Sequence, residues 1–196
     1  MTDHASPATN GRSLLSPGPL LLAAMIVIAA LSRLLPHPPN FSPVEAIALF
    51  GGAYFAHRGW AVLVPLAAML LSDLVLAATL GGSYLSYMTS LGFWSVYLCI
   101  ALTTVLGFAL RGRATVGRVA GLGLVGSVLF FLVTNFFVWF GGTMYPQTAE
   151  GLVAAYVAAI PFFQYSVLGT AVYGALLFGG FALMRRRLPM LHAQTV

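Results

Sequence analysis

Apolar residues fall in six blocks separated by short polar segments, at 20–35, 44–56, 60–80, 90–110, 119–140 and 152–184. Most of these approach or exceed the roughly 20 residues that carry a helix across a hydrocarbon core. The second block has only about 13 residues, short for a span. It follows Pro36-His37-Pro38-Pro39-Asn40-Phe41-Ser42-Pro43, which predicts a short helix reached through an extended segment. The last block is too long for one span, and Pro161 inside it is expected to kink the helix or to divide a surface helix from the sixth span. Residues 1–16 read as a disordered polar tail and 189–196 as a second tail. Between them, 17–188 reads as one domain, so the fold class is an all-α polytopic membrane protein of six transmembrane helices.

Composition removes the alternatives. The chain is 60% hydrophobic and 7% charged, against roughly 25% charged residues in soluble domains. That excludes a soluble enzyme, a nucleic-acid binder and a disordered chain, and makes the lipid bilayer the solvent. All nine basic residues are arginines. With six spans and both termini cytoplasmic, the inside segments hold Arg12, Arg58, Arg111, Arg113, Arg118 and Arg185 to Arg187, eight of the nine, leaving Arg33 outward. The inverted topology violates the positive-inside bias. Ala30-Leu31-Ser32 also resembles a signal-peptide cleavage site; cleavage there removes one span without reversing the others.

Direction turns the sequence into a depth map, at about 1.5 Å per helical residue. Asp73 lies in the outer half of the third span, Thr134 and Asn135 near the outer end of the fifth, and Gln164 and Tyr165 near the outer end of the sixth. His37, Asn40, Phe41, Glu45, Tyr84, Tyr87, Tyr145, Gln147 and Glu150 belong to outer loops or their flanks. A carboxylate at mid-helix costs about 2.5–3.5 kcal/mol to insert, so Asp73 must face protein or water. The pattern points to a cavity open outward and sealed inward. Its candidate ligand contacts are His37, Asn40, Phe41, Tyr84, Tyr87, Asn135, Tyr145 and Gln164. Each also has a plainer role. Asp73 can pair with Arg33 and pin the first span to the third, His37 can cap a turn, Asn135 and Gln164 can join helices, and the tyrosines can form an interfacial belt. Thr103 and Thr104 can bond carbonyls one turn back, and Cys99 reads as a small inert hydrophobe.

Gly121-x-Gly123-x-x-Gly126 lies inside a membrane helix with no preceding strand, so it is not a dinucleotide fingerprint; with Gly51-Gly52-Ala53 it offers small faces for close packing. HExxH, Walker A, nucleophile-elbow and CxxC patterns do not occur. The histidines fall on both sides of the membrane and there is no lysine, so catalytic residues, a metal site and a resident cofactor are not expected.

The stretch from Ser32 to Pro43, with Ala48-Leu49-Phe50-Gly51-Gly52-Ala53-Tyr54-Phe55, Leu71-Ser72-Asp73, Phe131-Leu132-Val133-Thr134-Asn135-Phe136 and Tyr156-Val157-Ala158-Ala159-Ile160-Pro161-Phe162-Phe163, resembles small six-span bacterial inner-membrane proteins. These are related to the substrate-binding S-components of energy-coupling-factor (ECF) vitamin transporters, including solitary BtuM-type cobalamin transporters. The resemblance implies periplasmic capture of a vitamin-like small molecule, with cobalamin as transported ligand rather than cofactor. Two departures bear on it. Ala23 and Ala24 are followed four residues on by Val27 and Ile28, not by the alanines of the docking groove, which favours a protein without an energising module. Residues 79–91 contain no cysteine and Cys99 lies deeper, so thiolate ligation of cobalt is not carried over. The rival reading is a structural or assembly membrane protein with no small-molecule ligand.

Overall fold

The computed structural model describes residues 14–188, 191, 195 and 196. Every regular element among them is helical: α1 (Pro17–Leu31), α2 (Val44–Tyr54), α3 (Arg58–Leu80), α4 (Gly82–Met88), α5 (Leu91–Gly107), α6 (Val116–Gly141), α7 (Ala149–Gly174) and α8 (Gly180–Arg187). Five helices are long and apolar enough to cross a membrane, with α7 and α8 forming one of them, and α2 is a shorter apolar helix. Large apolar side chains point away from the protein all round the bundle, among them Leu63, Leu74, Val105, Leu124, Val153, Ile160 and Leu176. A water-soluble domain does not present such a surface; a helical membrane bundle does.

The core is built around α2. All eleven of its residues are buried, enclosed by α3, α5, α6 and α7. Glycine makes this possible at two contacts. A Cβ on Gly52 would lie 2.2 Å from the Thr104 carbonyl oxygen, and one on Gly107 2.6 Å from the Leu49 carbonyl oxygen, so α2 and α5 touch backbone to backbone. Phe50 meets Tyr54, Phe178 and Phe181 edge to face, and Tyr54 packs tilted on Phe181, closing the core around the end of α2. Arg111 finishes the helix: its Nε donates to Gly52 O at 3.0 Å and Nη2 to Phe55 O at 2.7 Å. A cation on the carbonyl end of α2 satisfies groups the helix cannot pair and complements its dipole.

That end of the bundle also carries Arg58 and Arg111 on the Phe108 ring and Arg185 on Tyr54 and Phe181. Among the described arginines only Arg33 lies at the other end. Leu191 is buried in the core and Val196 N–H bonds Tyr54 O at 3.1 Å, so these residues of 189–196 pack against the bundle. Residues 1–13, most of the expected N-terminal tail, lie outside the described residues.

Pro161 does not divide the last block. The helix runs through it, and the irregularity comes 14 residues later as a π-turn at Ala175–Gly179. Pro161 sits among Ala, Ile and Phe, with no turn-forming neighbour. In a bilayer the remaining backbone groups stay paired only if the helix continues.

Candidate functional site

Nine residues between α1 and α2, 35–43, are not helical; 35–40 are exposed, while Phe41 and Ser42 reach into the bundle. Ser32 Oγ lies 2.8 Å from Tyr173 OH, and the Phe41 and Tyr173 rings are 5.9 Å apart. A Cβ on Gly169 would meet the Ser42 nitrogen and oxygen, both at 2.8 Å. Gly169 stands about 30 Å from the start of the α7–α8 helix and about 27 Å from its end. Ser42 therefore sits near mid-height. Asn40 turns the chain with φ 63°, a conformation asparagine tolerates better than most residues. The N-terminus of α2 thus begins inside the bundle, facing the end away from the arginines.

This overturns one sequence expectation. Glu45 is not at an outer flank but 2% exposed in the first turn of α2. α1 and its following turn already end beside Tyr173, so the loop lies low in the bundle and sequence distance from it does not measure depth. Glu45 Cβ faces Gly126, which also receives the Thr103 methyl. Glu45 Oε1 and Thr103 Oγ1 are both buried with no hydrogen-bond partner among the described residues. Thr104 does bond back to Ile100 O at 2.8 Å, as its type allows; Thr103 does not. Cys99 is a buried free thiol on the same helix.

A second cluster lies beside Ser32. Asp73 Oδ1 accepts from Arg33 Nη1 at 2.7 Å and Tyr84 OH at 2.8 Å, and Oδ2 accepts from Tyr97 OH at 2.6 Å. Arg33 Nη1 also donates to Ser72 Oγ at 2.7 Å. The ion pair joins the end of α1 to α3, while the two phenols bring in α4 and α5. Burial and the bond to Asp73 push the Tyr84 phenol up to about 12, so it remains a donor at neutral pH. Tyr87 is raised in the same direction by burial, and its ring packs on Tyr84 and Phe93.

The other candidates lie apart from this cluster. His37 is exposed, with Nδ1 2.9 Å from Pro38 O. Asn40 is exposed and Phe41 half-buried on Tyr173. Asn135 donates to Phe131 O at 2.8 Å and Gln164 to Pro161 O at 3.0 Å, each within its own helix. Tyr145 is half-buried in the α6–α7 connection. The structure therefore brings Arg33, Asp73, Tyr84 and Tyr87 together, and leaves the loop residues and the α6–α7 residues as separate groups. Sequence reasoning missed Tyr97 and Tyr173, and read Thr103 as bonded within its own helix, which it is not. Tyr97 and Tyr173 carried a signal, a phenol in the middle of an apolar span, where a hydroxyl needs a partner. No group of three or more His, Cys, Asp or Glu suited to a metal occurs among the described residues.

No curated protein and no solved structure matches the chain. A family model does match, over residues 14–191. The match takes in every helix of the bundle, and the chain belongs to the family of unknown function DUF6580.

Proposed function

We propose that this is a bacterial inner-membrane transport protein of the solitary S-component kind, which captures a vitamin-like molecule, a corrinoid such as cobalamin, at the end of the bundle away from the arginines. The observation that carries the reading is the break between α1 and α2. Non-helical backbone at mid-bundle depth is tolerated where it is buried in protein or lines a cavity, and half-length helices ending near the midplane recur at transport sites. Here the Pro36–Pro43 segment packs Ser42 against Gly169 and hands over to a half-length helix whose N-terminus faces that end. In this reading α2 and its loop count as one crossing, giving six. The positive-inside bias sets the arginine end and both termini in the cytoplasm.

The ligand seats above α2, between His37, Asn40 and Phe41 of the loop, Tyr84 and Tyr87 on one side, and Asn135, Tyr145 and Gln164 on the other. Neutral donors and aromatic faces suit the amide arms and the apolar ring of a corrinoid. Calorimetry of the purified full chain with cyanocobalamin tests this. Saturable heat is expected, with affinity weakened at least about tenfold when His37, Asn40 and Tyr87 are replaced together by alanine. No heat with cyanocobalamin overturns the corrinoid reading, and unchanged affinity in the triple variant overturns the seat.

One observation favours the second reading, a structural or assembly protein. Asp73, Asn135 and Gln164 already spend hydrogen-bonding capacity within the protein. Growth of a cobalamin-uptake-deficient strain on this gene alone separates the two.

A further inference from the structure

At the arginine end, two cavities adjoin between α6 and the α7–α8 helix. The larger, about 630 Å³, runs up the groove past Gly123, Ser127, Thr170 and Gly174 and is almost wholly apolar. The smaller, about 410 Å³, is lined by Arg113, Arg185 and Arg186 together with Gly112 and Val196, and is half polar. Tyr54, Ala114 and Ala182 line both, so one opens into the other. We propose that this compound site holds one anionic phospholipid, with its acyl chains along the groove and its phosphate on Arg113 and Arg186.

Three observations commit the site to that occupant. The protein does not fill the groove: Cβ atoms built on Gly174 and Gly179 meet nothing within 4 Å. The hydroxyls on its wall are turned to each other, Ser127 Oγ lying 3.1 Å from Thr170 Oγ1, which leaves a hydrocarbon-compatible surface. The π-turn at Ala175–Gly179 forms part of the same wall, a backbone irregularity of the kind that gathers at functional sites.

No acidic side chain among the described residues lies beside Arg113 or Arg186. Glu45 and Asp73 are buried in the bundle, and Glu150 stands at the opposite end of the α7–α8 helix. Arg113 and Arg186 are exposed, while Arg185 is held against Tyr54 and Phe181. A basic pocket at the foot of an apolar intramembrane groove matches the two halves of an acidic lipid. The inference needs the arginine end to meet a membrane surface, and it does not depend on what is captured at the other end.

The test uses the full chain in detergent, titrated with phosphatidylglycerol, phosphatidylcholine or inorganic phosphate and followed by thermal unfolding and native mass spectrometry. Phosphatidylglycerol is expected to raise the midpoint and to be retained in the gas phase, with phosphatidylcholine far weaker. R113Q/R186Q is expected to lose roughly thirtyfold in affinity for phosphatidylglycerol. Gly174→Leu, which grows into open space and leaves the arginines untouched, is expected to weaken binding without lowering the lipid-free midpoint. Equal stabilisation by phosphatidylcholine overturns the proposal, because it marks a nonselective annulus. Equal stabilisation by inorganic phosphate overturns it as well, as does a Gly174→Leu chain that binds phosphatidylglycerol like the parent.

Discussion

Asp73 and Glu45 are two buried carboxylates with opposite circumstances. Asp73 receives a guanidinium and two phenols. Glu45 leaves Oε1 without a partner among the described residues. Removing one member of a buried pair strands the other charge, so Asp73→Ala is expected to lower unfolding stability by about 3 kcal/mol. Replacing both partners, Arg33→Met with Asp73→Leu, is expected to restore most of it, measured by denaturant unfolding in a fixed detergent. Glu45→Met should act in the other sense. It removes an unsatisfied polar atom at nearly constant volume, and is expected to raise stability by about 1 kcal/mol in the same assay. A destabilised Glu45→Met chain means that Oε1 has a partner after all. Asp73 was legible in the sequence as an acid that needed company, and Arg33 was the nearest cation at its depth. The depth of Glu45 was not legible, because a proline-rich segment can lie at the rim or low in a bundle, and composition does not separate the two.

At the scale of the element, α2 is an 11-residue helix held both by backbone contact with α5 and by its own buried Ile47, Leu49, Phe50 and Tyr54. Gly52→Ala places a methyl 2.2 Å from the Thr104 carbonyl oxygen, where the obstacle is backbone and cannot rotate away. The expected loss is about 3 kcal/mol, at the upper end for overpacking, read as a lower thermal midpoint. Arg111→Ala removes two charged hydrogen bonds from the carbonyl end of the same helix. It is expected to cost about 2 kcal/mol in the same experiment, with Arg111→Lys recovering only part because a single ammonium lacks the guanidinium fork. The Gly51-Gly52 pair announced close packing in the sequence, but Gly107, its partner on α5, became meaningful only once the two helices were side by side. The passage of α7 through Pro161 was hidden for a different reason. Proline rules drawn from water overstate its breaking power where the alternative is unpaired backbone in lipid.

Across the whole molecule, the apolar blocks already marked the long helices, since bilayer thickness leaves few other readings of such lengths. What they left open was relative height. The α7–α8 helix has 39 residues, while α1 with its following turn ends beside Tyr173, partway along it. The helices are therefore staggered, with the α1–α2 loop low and the α6–α7 hairpin standing above it. Residues placed at one level by sequence alone, such as Asn40 and Gln164, belong to different groups. The functional account depends on which side of the membrane the loop above α2 faces. In a Cys99→Ala background, Asn40→Cys and Arg113→Cys chains in intact cells can be treated with a membrane-impermeant maleimide. The account predicts that Asn40→Cys is labelled and Arg113→Cys is protected until the cells are opened. Labelling of Arg113→Cys in intact cells with protection of Asn40→Cys would turn the capture site toward the cytoplasm and contradict it.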